Sequence, residues 1–212
     1  MGEIVIFGAG GRTGRAAVAE AVRRGHRVTA VVRNPDAYRE LAGEGVRVVA
    51  GDVTDADAVA ERAAGHDAAI AAVHDPGAQA EAFFTAAARA LLDGLERAGV
   101  RRLVTVGLAA NLELAPGVPL MDAPGFPPEF RAFSLAHAAG TAVLRAADTT
   151  TVDWLVVSPA GDFDHTGTPG GRWTAATGDF AARVTPADLA LVLLDEIDSP
   201  RHHRTHLGVA GA

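Results

Sequence analysis

The chain has 212 residues, 49% of them hydrophobic, a formal net charge of −7 and no cysteine. That length suffices for one α/β domain with a large core. The missing cysteine excludes disulfides, thiolate metal sites and a thiol nucleophile, and the acidic balance argues against nucleic acid, which needs clustered basic surface. No apolar run approaches the roughly 20 residues of a membrane span. Met1-Gly2-Glu3 leads directly into an apolar run with no secretory-signal pattern, so the expected compartment is the cytoplasm. All 19 basic residues are arginine.

Ile4-Val5-Ile6-Phe7 predicts a first strand, followed by Gly8-Ala9-Gly10-Gly11-Arg12-Thr13-Gly14 and an Ala-rich stretch of helical character. Glycines at such a reversal let a pyrophosphate lie against bare backbone N–H groups at the positive end of the helix. A Gly-rich turn alone has a steric explanation; the strand-loop-helix context is what predicts a dinucleotide-binding turn. Residues 27–32 and 46–50 predict the second and third strands, with helix-compatible segments between them, and 67–73 the fourth. A helix over about 78–98 precedes a fifth strand at 102–106, and a helix over 129–147 leads into a sixth at 152–157. Thr185-Pro186-Ala187-Asp188 reads as a helix start, with Thr185 as cap and Pro186 at the first helical position, and 205–209 as a closing strand. Gly25, Gly45, Gly65 and Gly99 each stand between a helical segment and a strand, where a left-handed cap favours glycine. This alternation predicts a Rossmann-type, doubly wound α/β fold: a mostly parallel sheet with helices on both faces, in a single domain over 1–212. Trp154 is expected in the core and Trp173 on a pocket wall.

Residues 107–128 contain Pro116, Pro119, Pro124, Pro127 and Pro128, so regular structure is not expected there. The segment leaves the carboxyl edge of the sheet, where open α/β folds bind ligands. With 160–185, which is rich in Gly, Asp and Thr over most of its length, it is expected to wall a substrate pocket.

About 20 positions beyond the glycines, a carboxylate would accept from a ribose diol, whereas arginine would neutralise a 2′-phosphate. The second strand ends in Val32-Arg33-Asn34, so NADP (NADPH) is favoured over NAD, with Arg12 as a second guanidinium. A solvated Arg33 is the plain alternative. Asp52, in Gly51-Asp52-Val53-Thr54, is open to two readings: with Val53 it addresses the adenine, or it caps the next helix. Ala72 and Val73 face the adenosine or simply pack.

The loop Gly8-x-x-Gly11-x-x-Gly14, Arg33, Gly51-Asp52-Val53 and the pair Ser158-Pro159 together resemble the atypical short-chain dehydrogenase/reductase family. The nearer likeness is to its NAD(P)H-binding group of NmrA-like proteins, NADH-flavin reductases and biliverdin reductase B. Residues 106–113, followed by Pro116-Gly117, are similar to the flavin-reductase branch, and the resemblance covers nearly the whole chain. It implies that Ser158, Pro159 and Ala160 line the nicotinamide through backbone groups. Most short-chain dehydrogenases use a Tyr-x-x-x-Lys pair. Here the corresponding positions are Phe133 and His137, the chain has no lysine, and its only tyrosine is Tyr38 on the adenosine side. A serine position known from the group falls on Leu108, and a hydroxyl position on Asn111.

Carbonyl reduction leaves an alkoxide that an acid of suitable pKa must protonate. A flavin or quinone delocalises the incoming charge and takes its proton from water. The expected function is therefore an NADP(H)-dependent oxidoreductase passing hydride to a flavin, quinone or similar conjugated acceptor. The alternatives are a non-turning-over NADP(H) redox sensor and, ranked lower, an epimerase or isomerase. The expected partner is a small-molecule acceptor, with no nucleic acid or membrane and a monomer or homodimer state.

His137 is the candidate proton donor or ribose contact, since histidine titrates near neutrality, against a packing role. Asn111 either orients a substrate carbonyl or shapes a turn. Asp162, Asp164 and His165 match no metal template, and His202, His203 and His206 read as solvated polar residues, so no metal is expected. His74-Asp75 flanks the cofactor or only turns with Pro76-Gly77.

Overall fold

A computed structural model describes residues 2–211. The apolar runs form strands β1 (Glu3–Phe7), β2 (Arg27–Val32), β3 (Val46–Ala50), β4 (Ala68–Ala71), β5 (Arg102–Val106), β8 (Asp153–Pro159) and β12 (Thr205–Gly211). Shorter strands are β6 (Glu113–Ala115), β7 (Val118–Pro119), β9 (Asp162–Phe163), β10 (Trp173–Ala175) and β11 (Arg183–Val184). The helices are α1 (Arg12–Arg23), α2 (Ala56–Ala63), α3 (Ala80–Ala98), α4 (Arg131–Arg145) and α5 (Pro186–Asp198).

The main sheet runs β10-β12-β8-β5-β4-β1-β2-β3, and every pairing in it is parallel except β10 with β12. Both faces are covered, as continuous apolar strands require. Ile4, Ile6, Leu155 and Val157 pack with α1 and α5 residues such as Leu189 and Leu193. Val5, Phe7, Leu103 and Trp154 pack with α2 and α3 residues such as Val59 and Leu91. The chain leaves β1 toward β2 and β3, then returns to β4 on the other side, so the order reverses between β1 and β4. Ligands of open α/β sheets bind in that crevice, beyond the carboxyl ends of the strands.

The four inter-element glycines all adopt φ between +76° and +84°, the left-handed geometry expected of them. Thr185 caps α5 through the Asp188 N–H, with Pro186 in its first turn. Trp154 is in the core.

The helix-compatible segment after β2 forms a 3-10 turn over Pro35–Leu41, entered through the Asn34 side chain. Two expectations are corrected. Residues 107–128 are partly regular: β6 and β7 pair as an antiparallel ribbon flanked by short 3-10 turns. Trp173 lines neither the crevice nor the small cavity beside α4; it sits in the antiparallel edge strand, donates its indole N–H to Asp195 at 2.7 Å and stacks under Arg201.

Candidate functional site

The crevice holds a groove of about 790 Å³, within the size range of ligand clefts. Gly8, Gly10, Gly11, Arg33, Asp52, Val53, Ala72 and Val73 all line it. The structure thus gathers, from the ends of β1, β2, β3 and β4, residues spread over 66 positions of sequence, 8 to 73.

Three of the four glycines of the first turn have a steric reason of their own. Gly8 has φ of +77°, and a Cβ there would lie 2.2 Å from the Ala72 carbonyl. At Gly14 a Cβ would stand 2.1 Å from the Gly8 carbonyl, so this residue sets the close approach of helix to strand. Gly10 abuts the Tyr38 ring, 2.5 Å from where its Cβ would be. Gly11 caps α1 and supplies no side-chain acceptor. The first bond along the helix is Arg15 N–H to the Gly11 carbonyl at 2.8 Å. The amides of Arg12, Thr13 and Gly14 before it are the orphan donors of a helix N-terminus, at its positive end. The cradle fits a diphosphate: backbone donors, no side chain in the way, and room alongside.

Arg12, Thr13 and Gly14 do not themselves border the groove, and the Arg12 side chain is exposed on the first turn of α1. Sequence reasoning missed Arg15. Its Nε donates to the Gly10 carbonyl at 2.9 Å, its guanidinium lies over Tyr38 at 5.4 Å, and Glu40 pairs with it at 2.6 Å. Tyr38 lines the groove as well, and only the fold of the 3-10 turn brings its ring beneath Gly10.

Asp52 accepts from the Thr54 backbone N–H and hydroxyl at 2.9 and 2.7 Å. It does not cap α2, a role filled by Asp55 through Asp57 and Ala58 N–H. Arg33 is not simply solvated: its Nη1 pairs with Asp75 across the groove rim, and Asp75 also accepts from Gly77 N–H. His74 and Asp75 both border the groove.

Ser158 and Pro159 are buried and lie outside the groove lining. The Ser158 hydroxyl is 2.7 Å from His206 Nε2, beneath Gly107, whose Cβ would come within 2.4 Å of it. The solvated reading is corrected for His206, which is half-buried, whereas His203 is exposed. Burial, with a contribution from the Arg145 charge, pushes His206 down to about 4. His202 bonds Glu196 and His203 bonds Asp153, each at 2.7 Å. Among the described residues no cluster of three or more His, Asp or Glu is arranged to hold a metal, and no helix is long and apolar enough to cross a membrane.

The two catalytic candidates lie apart from the groove. With its amide oriented to satisfy both neighbours, Asn111 donates to the Ser134 carbonyl and accepts from Ala138 N–H, each at 3.1 Å. Its side chain thereby clamps the 107–128 segment to α4 rather than facing an open site. His137 borders a small apolar cavity with Val73, Phe84, Val106 and Gly140. It packs 3.9 Å, centroid to centroid, from Phe84, and edge-on to Phe133. His74 meets Phe133 at 5.2 Å from the groove side. Burial, reinforced by His74 and His206, pushes His137 down to about 4, so at neutral pH it is an uncharged imidazole and not the near-neutral acid expected from its type.

Both histidines have folded-state values below their unfolded ones, so acidification protonates the unfolded chain first. Their neutral burial contributes stability above about pH 6.5 that is lost as pH falls toward 4. Between pH 7 and pH 5 each is expected to remove on the order of 2 kcal/mol. Urea unfolding at the two pH values checks this, and equal stabilities would contradict it.

The fold, its switch-point groove and the glycine turn define an NAD(P)-binding Rossmann protein. Residues 8–200 match the model of the NAD(P)H-binding family, and the chain belongs to that family. It is 33% identical over 210 residues to YwnB of Bacillus subtilis (strain 168), with 94% of each chain covered. Among solved structures it is similar to one named as an exported protein from Burkholderia pseudomallei, at 35% identity and a TM-score of 0.84, covering 99% of this chain and 100% of the other. It is also similar to a Streptococcus pneumoniae protein named as an NADH-flavin reductase, at 26% identity and a TM-score of 0.84, with both chains covered in full.

Proposed function

We propose that the protein is an NADPH-dependent reductase that delivers hydride to a flavin, quinone or similarly conjugated small molecule, acting in the cytoplasm. The observation that carries this reading is a groove built for a dinucleotide with no tyrosine–lysine acid pair beside it. The chain has no lysine, its one tyrosine packs against Gly10 on the adenosine side, and His137 is neutral and wedged between Phe84 and Phe133.

NADPH, when bound, supplies the hydride. The chain's own residues position it: the amides at the start of α1 take the diphosphate, Arg33 the 2′-phosphate, Tyr38, Asp52 and Val53 the adenosine side, and Ala72 and Val73 the floor. Ser158 and Pro159 support the nicotinamide end from beneath. The 107–128 and 160–185 segments, joined by Gly178 N–H to the Glu113 carbonyl at 2.8 Å, wall the acceptor side. An isolated carbonyl would leave an alkoxide with no tyrosine–lysine pair to protonate it, whereas a conjugated ring delocalises that charge and takes its proton from solvent. The name borne by the Streptococcus pneumoniae relative agrees with such an acceptor.

The same missing pair favours a second reading, a sensor that binds NADPH without turnover. Following NADPH absorbance with FMN, riboflavin and a quinone separates the two. Acceptor-dependent oxidation is expected; binding of NADPH with no acceptor reduced would replace the reductase with the sensor.

A further inference from the structure

Arg33 follows β2 and Asp75 follows β4, and β1, the strand that delivers the glycine turn, lies between them. Their ion pair therefore spans the crevice above the end of β1, joining its two walls. Both residues border the groove, and Asp75 is already held in place by Gly77 N–H at 3.0 Å. The guanidinium that would receive a 2′-phosphate thus has a carboxylate on it in the free protein.

We propose that Asp75 is a specificity-determining residue: it occupies Arg33 as a counter-ion that a 2′-phosphate must displace, and so restrains the preference for NADPH over NADH. This rests on the reading of the groove as a dinucleotide site. The physical basis is competition of two anions for one guanidinium. The phosphate gains charge-assisted bonds to Arg33, loses the Arg33–Asp75 pair and is left near an unpaired carboxylate of its own sign. A ribose diol has no charge for Asp75 to repel and leaves the Arg33–Asp75 pair in place. Arg33 and Asp75 therefore pull selectivity in opposite directions.

Asp75→Asn tests this, because the amide oxygen keeps the bond from Gly77 N–H while the charge is removed. Calorimetric titration of the full chain with NADPH and with NADH is expected to show about tenfold tighter NADPH binding, or about 1.4 kcal/mol, and an NADH change under about twofold. Asp75→Glu, which keeps the charge, is expected to leave the ratio of the two affinities within about twofold of wild type, and in an Arg33→Ala background the gain from Asp75→Asn is expected to shrink. An unchanged ratio in Asp75→Asn, with both dinucleotides still bound, would overturn the role of Asp75 and leave the groove reading intact. Failure of the wild-type chain to bind either dinucleotide would overturn the groove reading, and this inference with it.

Discussion

Gly8→Ala is expected to lower the unfolding free energy by about 3 kcal/mol and to weaken dinucleotide binding at least about 30-fold. Two independent penalties meet at this residue. Its φ of +77° costs an L side chain about 1–2 kcal/mol, and the new methyl would sit 2.2 Å from the Ala72 carbonyl, backbone that cannot swing aside. Relief requires β1 and the end of β4 to part, and both deliver residues to the groove. Gly11→Ala is the control: φ there is −73° and the nearest atom to a Cβ is the Gly8 carbonyl at 3.5 Å, so the fold is expected to lose under about 1 kcal/mol. Urea unfolding of both variants checks the contrast. Equal stabilities would contradict the steric account.

Glu196→Ala is expected to cost about 3 to 5 kcal/mol of stability while leaving dinucleotide affinity unchanged. The Glu196 side chain is fully buried in α5 and accepts from Arg102 Nη2 at 3.0 Å, His202 Nδ1 at 2.7 Å and the backbone amides of Arg201 and His202. Burial works against its charge, but the bonds from His202 and the two amides outweigh that and hold the carboxyl below the ordinary carboxylate range. Arg102 is itself buried and reaches Asp153 and the Glu196 and His202 carbonyls. Removing the carboxylate orphans two amides and half of that guanidinium's compensation. The network ties the starts of β5 and β8 to α5 and to the connection into β12, at the amino ends of the strands and thus opposite the groove. Because the folded-state value is depressed, this contribution is present above about pH 4.5 and lost as pH falls below it. A loss under about 1 kcal/mol in urea unfolding at pH 7 would contradict the network's assigned role.

What sequence reasoning recovered follows from local physics. The strands of the parallel sheet are apolar runs long enough to be buried on both faces, and glycines stand where the chain must turn left-handed. The first turn is legible because Gly8 and Gly14 meet backbone only a few residues or one strand away. Pairings over long separations are not legible that way. Arg33 and Asp75 are 42 residues apart, and Ser158 and His206 are 48 apart. His206, which looked solvated beside Pro200, is thus half-buried beneath Gly107 on the Ser158 hydroxyl. Asp52 and Asp55 offer the same capping chemistry, and only the first helical residue, Ala56, decides between them. Asn111 lies 23 to 27 residues before its partners Ser134 and Ala138, and only the approach of α4 brings them to its amide. Trp173 and Asp195 are 22 residues apart, and only the antiparallel closing edge brings them together.

The most direct test is a crystal structure of the chain grown with NADPH. The diphosphate is expected against the amides that open α1, with the 2′-phosphate on Arg33 and Asp75 turned away from it. A groove left without the dinucleotide at saturating NADPH, or a dinucleotide seated elsewhere on the molecule, would contradict the account.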